Sequence, residues 1–440
     1  MGEERCDGKR KMENPAPTHP KPHRFPALTV PHFRLYAATA LLSMAADNIE
    51  HVIAYWVIWQ LTHSPFWLGY AVVAHWLPFT LFSFYSGSLA DRLDCRWLIQ
   101  ISQSLFIVSS FGWGFLYLTG QLQIWHMAVL LVIHGIAGLI FSPSSMLIIH
   151  EMVGADKLIS AVSLNAILRP LSATIGPAIG GLLMGMVGPG WGFIANILIY
   201  LPMSVSIMFY PYRGATAGKR SESEWSFILE GFQVVRQNSM IVALLVVVAA
   251  SSLLLGNAFQ ALLPVFAQQL GVSSTGYSIL LSANGLGAIL GGFLLGWAGG
   301  TKLRPVMVTA GALAWSLLLM FFAVSTIYSI SLILLCMLGA MQITFVSMSQ
   351  SIVQAWAPQA VRGRVIGVYN FAAQGLRAPS GLFMGTLATI IGPATALLFL
   401  AGIIGLVILG VSAAIRSLWE LEMKKESFPS AEATVAVSGS

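Results

Sequence analysis

The chain has 440 residues, 56% of them hydrophobic and 9% charged, with a formal net charge of +6. A water-soluble domain carries about 25% charged residues, so this composition excludes a soluble enzyme or binding module and requires an apolar surrounding. Cys6, Cys95 and Cys336 have neither metal nor redox spacing and are assigned no chemistry.

Residues 1–35 are polar and Pro-rich, too polar for a signal peptide, and are expected to form a disordered tail. Stretches of about 20 apolar residues match a bilayer core of about 30 Å. Twelve such spans follow, at approximately 36–60, 67–90, 97–118, 124–149, 158–187, 191–211, 240–268, 276–299, 305–325, 329–355, 363–388 and 393–415. A first unit of six spans, 36–212, is joined by a polar linker, 213–239, to a second, 240–416, and 417–440 is a tail. Within the linker, Trp225, Phe227, Ile228, Gly231, Phe232 and Val235 have the pattern of an amphipathic surface helix.

The first span carries Asp47, Glu50 and His51, whose i, i+3, i+4 spacing places them on one helix face. A charge at the bilayer centre costs at least about 2.5–3.5 kcal/mol. A carboxylate there either takes up and releases protons as its exposure changes, contacts substrate, or is part of a static polar cluster. Between Gly231 and Trp419 there is no Asp or Glu, and all nine His precede residue 151. If protons drive transport, the acceptor must therefore lie in the first half.

Arg169 and Arg377 are the basic residues deep inside the spans. Each must face a cavity or a partner, or reach back to the interface. Arg169 can meet the acids of span 1, while Arg377, with no acid in its half, can take an anionic group of a substrate. In span 5, Ser172, Gly176, Pro177, Gly180 and Gly181 let helices approach closely and permit a bend; ordinary close packing is served by the same residues. The second half offers uncharged polar groups, Gln260, Asn284, Gln342, Asn370 and Gln374. With Trp56, Trp76 and Tyr369 these suit a mainly apolar pocket with a few placed polar groups.

Lys and Arg alternate from loop to loop. The N-terminal tail has Arg5, Lys9, Arg10, Lys11, Lys21, Arg24 and Arg34, and every second loop has its share: Arg92 and Arg96; Lys157; Arg213, Lys219, Arg220 and Arg236; Lys302 and Arg304; Arg362 and Arg364. The loops Leu61–Phe66 and Thr119–Gln123 have none. That is the positive-inside pattern with both termini in the cytoplasm, and it excludes a nucleic-acid surface. A membrane enzyme is also excluded: His150-Glu151 lacks a second ligand pair, and there is no phosphate loop or nucleophile elbow.

The two halves repeat. A shift of 205 residues aligns Lys157 with Arg362, Asn165 with Asn370, Gly176 with Gly381 and Gly180 with Gly385; a shift of 204 aligns Gly188-Pro189 with Gly392-Pro393. Spans 5 and 11 are versions of one helix. The repeats predict an all-α membrane protein of twelve transmembrane helices in two pseudo-symmetric six-helix bundles, with substrate between them and alternating access by rocking.

Over residues 33–416 the chain resembles the major facilitator superfamily. The loop after span 2, Gly87-Ser-Leu-Ala-Asp91-Arg92-Leu-Asp94-Cys95-Arg96, is similar to the superfamily signature G-x-L-A-D-R-x-G-R-R, departing at Asp94 and Cys95. The second-half counterpart, Gly296 to Arg304, is degenerate. Phe141–Val153, Ser226–Arg236, Ala261–Ala267 and Arg362–Val365 resemble the bacterial enterobactin-exporter and macrolide-efflux type. The resemblance implies that Gly87, Asp91, Arg92 and Arg96 form a gating loop and that Asp47 is the coupling acid. It also implies that Gly176, Pro177, Gly180 and Gly181 are the antiporter helix motif. Drug antiporters of the superfamily place an Arg in span 4, where this chain has His134.

The implied protein is a monomer in the bacterial cytoplasmic membrane, with both termini cytoplasmic. It exports an amphipathic organic solute, such as a siderophore or drug, driven by the proton gradient and without a cofactor. Import, or flipping of a lipid or lysolipid by the same fold, is the alternative.

Overall fold

The computed structural model describes residues 25–214, 231–256, 258–297, 305–357 and 361–414. The tails 1–24 and 415–440 lie outside the described residues, as do Trp225, Phe227 and Ile228 of the linker and Lys302 and Arg304 of the second-half loop.

The described elements are helices. After a 3-10 turn at Pro26–Thr29, the first half contains α1 (Pro31–Thr62), α2 (Pro65–Arg92), α3 (Cys95–Leu118), α4 (Ile124–Val153) and α5 (Ala155–Met208). The second half contains α6 (Ser239–Leu254), α7 (Ala258–Ala261), α8 (Leu263–Gln269), α9 (Ser274–Trp297) and α10 (Pro305–Ala323). It continues with α11 (Tyr328–Trp356), α12 (Arg362–Asn370), α13 (Arg377–Ile391) and α14 (Pro393–Ala414). The sequence marks the starts: prolines open α1 and α2, where a missing N–H costs nothing. Asp94 caps α3 through the N–H of Arg96, and Asn238 caps α6 through the N–H groups of Met240 and Ile241.

Among the described residues, each of the predicted spans contains helix. Among the described residues, eight helices are long and apolar enough to cross a membrane. α1 and α2, with 32 and 28 residues, have the length at about 1.5 Å per residue but carry polar groups at their middles.

Four spans depart from simple, separate rods. Spans 5 and 6 are two arms of α5 that meet at Gly188, where φ is 81° and a side chain would be strained. The equivalent glycine of the second half, Gly392 at φ 85°, separates α13 from α14. Span 7 breaks after α6 at Gly256, φ 42°, and continues through α7 and α8, whose Pro264 supplies no N–H. Span 11 widens into a π turn at Phe371–Gly375 between α12 and α13.

Carbonyls freed inside a membrane need donors. The π turn finds three. Ser252 Oγ donates to Ala373 O at 3.1 Å, Arg377 Nε donates to the same oxygen at 3.0 Å, and Thr80 Oγ1, from the other half, donates to Gly375 O at 2.8 Å.

The halves meet along α2 with α13 and along α5 with α9. Gly69 and Gly381 bring their backbones into direct contact, and a Cβ on either would collide with the other's carbonyl. A Cβ at Gly181 would collide with the side chain of Ser278. Trp56 stacks on Tyr277 with centroids 5.5 Å apart, and Trp59 Nε1 donates to Gln268 Oε1 at 2.7 Å. These contacts lie toward the ends of the helices remote from the Arg-bearing loops. At the other end Arg169 and Asn370 are exposed.

Candidate functional site

The three polar residues of α1 do not stand alone. His134, on α4, sits between them. Its Nε2 lies 2.6 Å from Asp47 Oδ1 and its Nδ1 lies 2.9 Å from Glu50 Oε1. Glu50 accepts two further hydrogen bonds from α3, from Ser109 Oγ at 2.6 Å and Ser110 Oγ at 2.8 Å. Asn196, on the second arm of α5, donates to Ser110 Oγ at 3.2 Å and to Ala46 O at 2.9 Å. Four helices thus converge on one buried anion.

Packing fixes the geometry. A Cβ at Gly135 would collide with His75 O, so this glycine lets α4 and α2 touch backbone to backbone beside His134. Phe106 lies 4.7 Å from the His134 ring and stacks on Tyr200 at 5.2 Å. His51 continues the cluster: its Nδ1 faces Asp47 O at 2.8 Å and its Nε2 faces His75 Nδ1 at 3.3 Å. The ring centroids of His51, His75 and His134 are 4.5 to 5.3 Å apart.

Exposure grades across the cluster. The Asp47 side chain is 35% exposed and that of His51 18%, whereas Glu50 and His134 are at 3% and 2%. The buried end is closed in by Glu50, His51, Ala54, Trp113, Leu131 and His134.

The donor and acceptor inventory sets the charge. Carboxylates only accept, and an imidazole offers a donor on both nitrogens only when protonated. His134, with a carboxylate oxygen at each nitrogen, is satisfied as the cation. Asp47, His134 and Glu50 then carry a net charge of −1, and one further proton on the exposed member, Asp47, makes the triad neutral. Neutrality lowers the cost of enclosing it in the apolar core.

The other predicted residues are distributed. Arg169 is exposed on α5, and the place beside the acids is taken by His134. Arg377 lies between the halves, its guanidinium 4.8 Å from the centroid of Trp76 on α2. Gln260 Nε2 donates to Asn284 Oδ1 at 3.1 Å, and Asn284 Nδ2 donates to Leu335 O at 3.2 Å. Gln342 and Gln374 are half-buried, and Tyr369 is buried against Ser349 Oγ and Val346 O. The span-5 motif divides its work: Gly176 and Gly180 pack on α1 within their half, while Gly181 faces the opposite half. Pro177 lies buried between them.

The loop after α2 is a second polar site. Asp94, where the signature has Gly, holds Arg96 through Nη2 at 2.6 Å and Nε at 3.1 Å. The paired guanidinium keeps the Asp94 carboxyl below its usual range. Arg96 Nη1 also donates to Tyr210 O at 2.9 Å, and Cys95 N donates to Arg213 O at 2.7 Å. Glu151, at the end of α4, accepts from Gly214 N, while Lys157 Nζ donates to Thr29 Oγ1 at 2.9 Å. The start of α3 and the ends of α4 and α5 are therefore tied together. Asp91 is half-buried, Arg92 is exposed, and Gly87 lies within α2.

His134 and His75 were missed by sequence reasoning as members of the site. The signals available were the confinement of all nine His to the first half and the absence of the span-4 Arg at position 134.

Comparison with known proteins places these features. A family profile described as "Transmembrane secretion effector" matches residues 24–438. The chain is 22% identical over 391 residues to the enterobactin exporter EntS of Shigella boydii serotype 18, covering 87% of this chain and 91% of that protein. It is 24% identical over 295 residues to the uncharacterized MFS-type transporter YfiS of Bacillus subtilis, covering 65% of each. Among solved structures, a bacterial homologue of the human lysosomal transporter Spinster, inward-facing and unoccupied, aligns with a TM-score of 0.69 at 12% identity over 92% of this chain and all of that one. The nucleoside transporter NupG aligns with a TM-score of 0.70 at 12% identity, covering 89% of this chain and all of its own. At these identities the two structures speak to the fold alone.

Proposed function

Since the chain belongs to the transmembrane secretion effector family of major facilitator transporters, we propose that it exports an amphipathic organic solute in exchange for protons. The observation that carries this reading is the chain Asp47–His134–Glu50, a buried triad whose outermost carboxylate is the accessible one. A proton on Asp47 cancels the net charge and permits occlusion; its loss restores the charge and favours the open arrangement. The groups facing Asp47 are His134 from α4 at 2.6 Å and His51 from α1 at 3.7 Å, with His75 of α2 next to His51, and no carboxylate of the second half competes.

The membrane is the bacterial cytoplasmic membrane, and the loops bearing Lys and Arg face the cytoplasm, as the positive-inside rule requires. Among the described residues the halves touch toward the opposite end, which supports an inward-open arrangement. The relationship to the enterobactin exporters supports a siderophore-like or drug-like solute. So does the inter-half surface, where Arg377 over Trp76, Trp56 on Tyr277 and the Gln260–Asn284 pair combine aromatic faces, one cation and neutral polar groups. The chain acts as a monomer, each half supplying one wall.

The test uses everted vesicles and a panel of siderophores and drugs under an imposed pH gradient, acid inside. The expected result is gradient-dependent accumulation of at least one solute, lost in Asp47→Asn while gradient-independent counterflow persists. Full gradient-driven accumulation by Asp47→Asn would remove Asp47 from coupling. Depletion of external solute only in right-side-out vesicles would make the protein an importer.

A further inference from the structure

We propose that His51, His75 and His134 form a binding site for a divalent transition-metal ion of the zinc type within the first half. The three histidines come from α1, α2 and α4 and bring one ring nitrogen each to within 4.8 Å of one another. Zinc binds histidine nitrogen at about 2.0–2.1 Å in tetrahedral geometry, which sets ligand nitrogens about 3.3–3.4 Å apart. His51 Nε2 and His75 Nδ1 already stand 3.3 Å apart. Such a pair holds one proton between two nitrogens at best, and an ion there takes a lone pair from each.

The ring orientations support ligation. A backbone carbonyl only accepts, so His51 Nδ1, 2.8 Å from Asp47 O, is the protonated nitrogen, and the lone pair of neutral His51 is on Nε2, facing His75. Glu50 holds Nδ1–H of His134, which frees Nε2 as the ligating atom once it gives up its proton. Metal-bound histidines are held in this way, the second ring N–H going to a carbonyl or a carboxylate. Asp47, whose Oδ1 lies 2.6 Å from His134 Nε2, is the nearest carboxylate, and once the proton between them leaves it can move back to ligand spacing and complete the fourth position. It is also the most exposed of the group, giving the ion a way in. Three nitrogens and one carboxylate suit zinc, cobalt(II) or nickel(II) better than magnesium or calcium, which prefer all-oxygen shells. The ion displaces the proton of His134, so metal and proton exclude one another.

Binding is measured directly, without any transported solute, so its outcome is independent of the export reading. The full chain, purified without a polyhistidine tag, is titrated with zinc against a chromophoric chelator and with cobalt(II) by visible absorption. One equivalent per chain is expected, with the intense absorption of tetrahedral cobalt. His75→Ala and His51→Ala should each weaken binding by more than the about 10–100-fold cost of losing an outer partner, and Glu50→Gln by about that factor. His63→Ala and His126→Ala, placed elsewhere, should bind as the parent does. If the ligand variants do not give a monodisperse protein, the parent's stoichiometry and cobalt spectrum decide alone. Absence of a stoichiometric site, an octahedral cobalt spectrum, or unchanged affinity in His75→Ala overturns the proposal.

Discussion

The two halves share a plan but not a core. In the first, α1, α3, α4 and α5 surround Glu50, and the interior is held by charge: two carboxylates, one bridging histidine and two serine hydroxyls. In the second, the corresponding depth is held by a neutral chain, Gln260 to Asn284 to the carbonyl of Leu335. A neutral chain has one charge state and one preferred packing. A charged one changes net charge with a single proton, so the first half can respond to a gradient while the second serves as a fixed wall. The same division appears in the repeated glycines. Gly176 and Gly180 pack against α1 inside their own half, whereas their counterparts Gly381 and Gly385 press on α2 of the opposite half.

The sharpest way to break this contrast is Glu50→Leu. It removes one anion from His134 and leaves the hydroxyls of Ser109 and Ser110 without their acceptor. Breaking a buried pair costs about 3–5 kcal/mol, so the midpoint of thermal unfolding in detergent should fall strongly. A shift no larger than that of a single neutral hydrogen bond would mean the cluster is not charged.

Gly69→Ala tests the contact between the halves. The added methyl meets the carbonyl of Gly381, and overpacking costs about 1–3 kcal/mol. The closed end should open more often, lowering the yield of a short cross-link engineered by Trp59→Cys with Gln268→Cys. An unchanged yield would show that this glycine pair does not set the closure.

On the neutral side, Asn284→Leu leaves Gln260 and the Leu335 carbonyl short of a partner and should cost about 1–3 kcal/mol, while Gln260→Leu added to it recovers part of the loss. Thermal unfolding of the three variants separates these outcomes. A double variant as unstable as Glu50→Leu would erase the distinction between the halves.

The smallest effect is expected at the loop. Asp94→Asn keeps a capping oxygen and loses the ion pair with Arg96. Because Arg96 holds the Asp94 carboxyl below its usual range, the stabilisation is present above that range and is lost as pH falls through the lowered value. The parent's advantage over the variant should therefore persist at neutral pH and disappear only in strong acid. At less than about 1 kcal/mol for so exposed a pair, it calls for chemical denaturation of matched samples at several pH values.

Much of this protein is written along its chain. Apolar runs of about 20 residues have one stable form in a bilayer, a helix that satisfies its own backbone, so the spans and their prolines and glycines were legible one by one. The i, i+3, i+4 spacing placed Asp47, Glu50 and His51 on one face for the same local reason. What the acids meet was not local. His134 lies 84 positions from Glu50, and its place there depends on the rotation of α4 and on Gly135 allowing α4 to touch α2. In the string of letters it registers only as a missing arginine.

The breaks in spans 7 and 11 were hidden for a related reason. A membrane helix opens its backbone only where outside donors take up the freed carbonyls, and those donors, Ser252 and Thr80, stand 121 and 295 positions away from the π turn. Sequence alone determined where the helices run and which half holds the acids and histidines, because the first follows from the cost of burying polar backbone in hydrocarbon and the second is read directly from the chain. Only the tertiary structure decided which group faces which, because partner choice is set by close packing between distant helices.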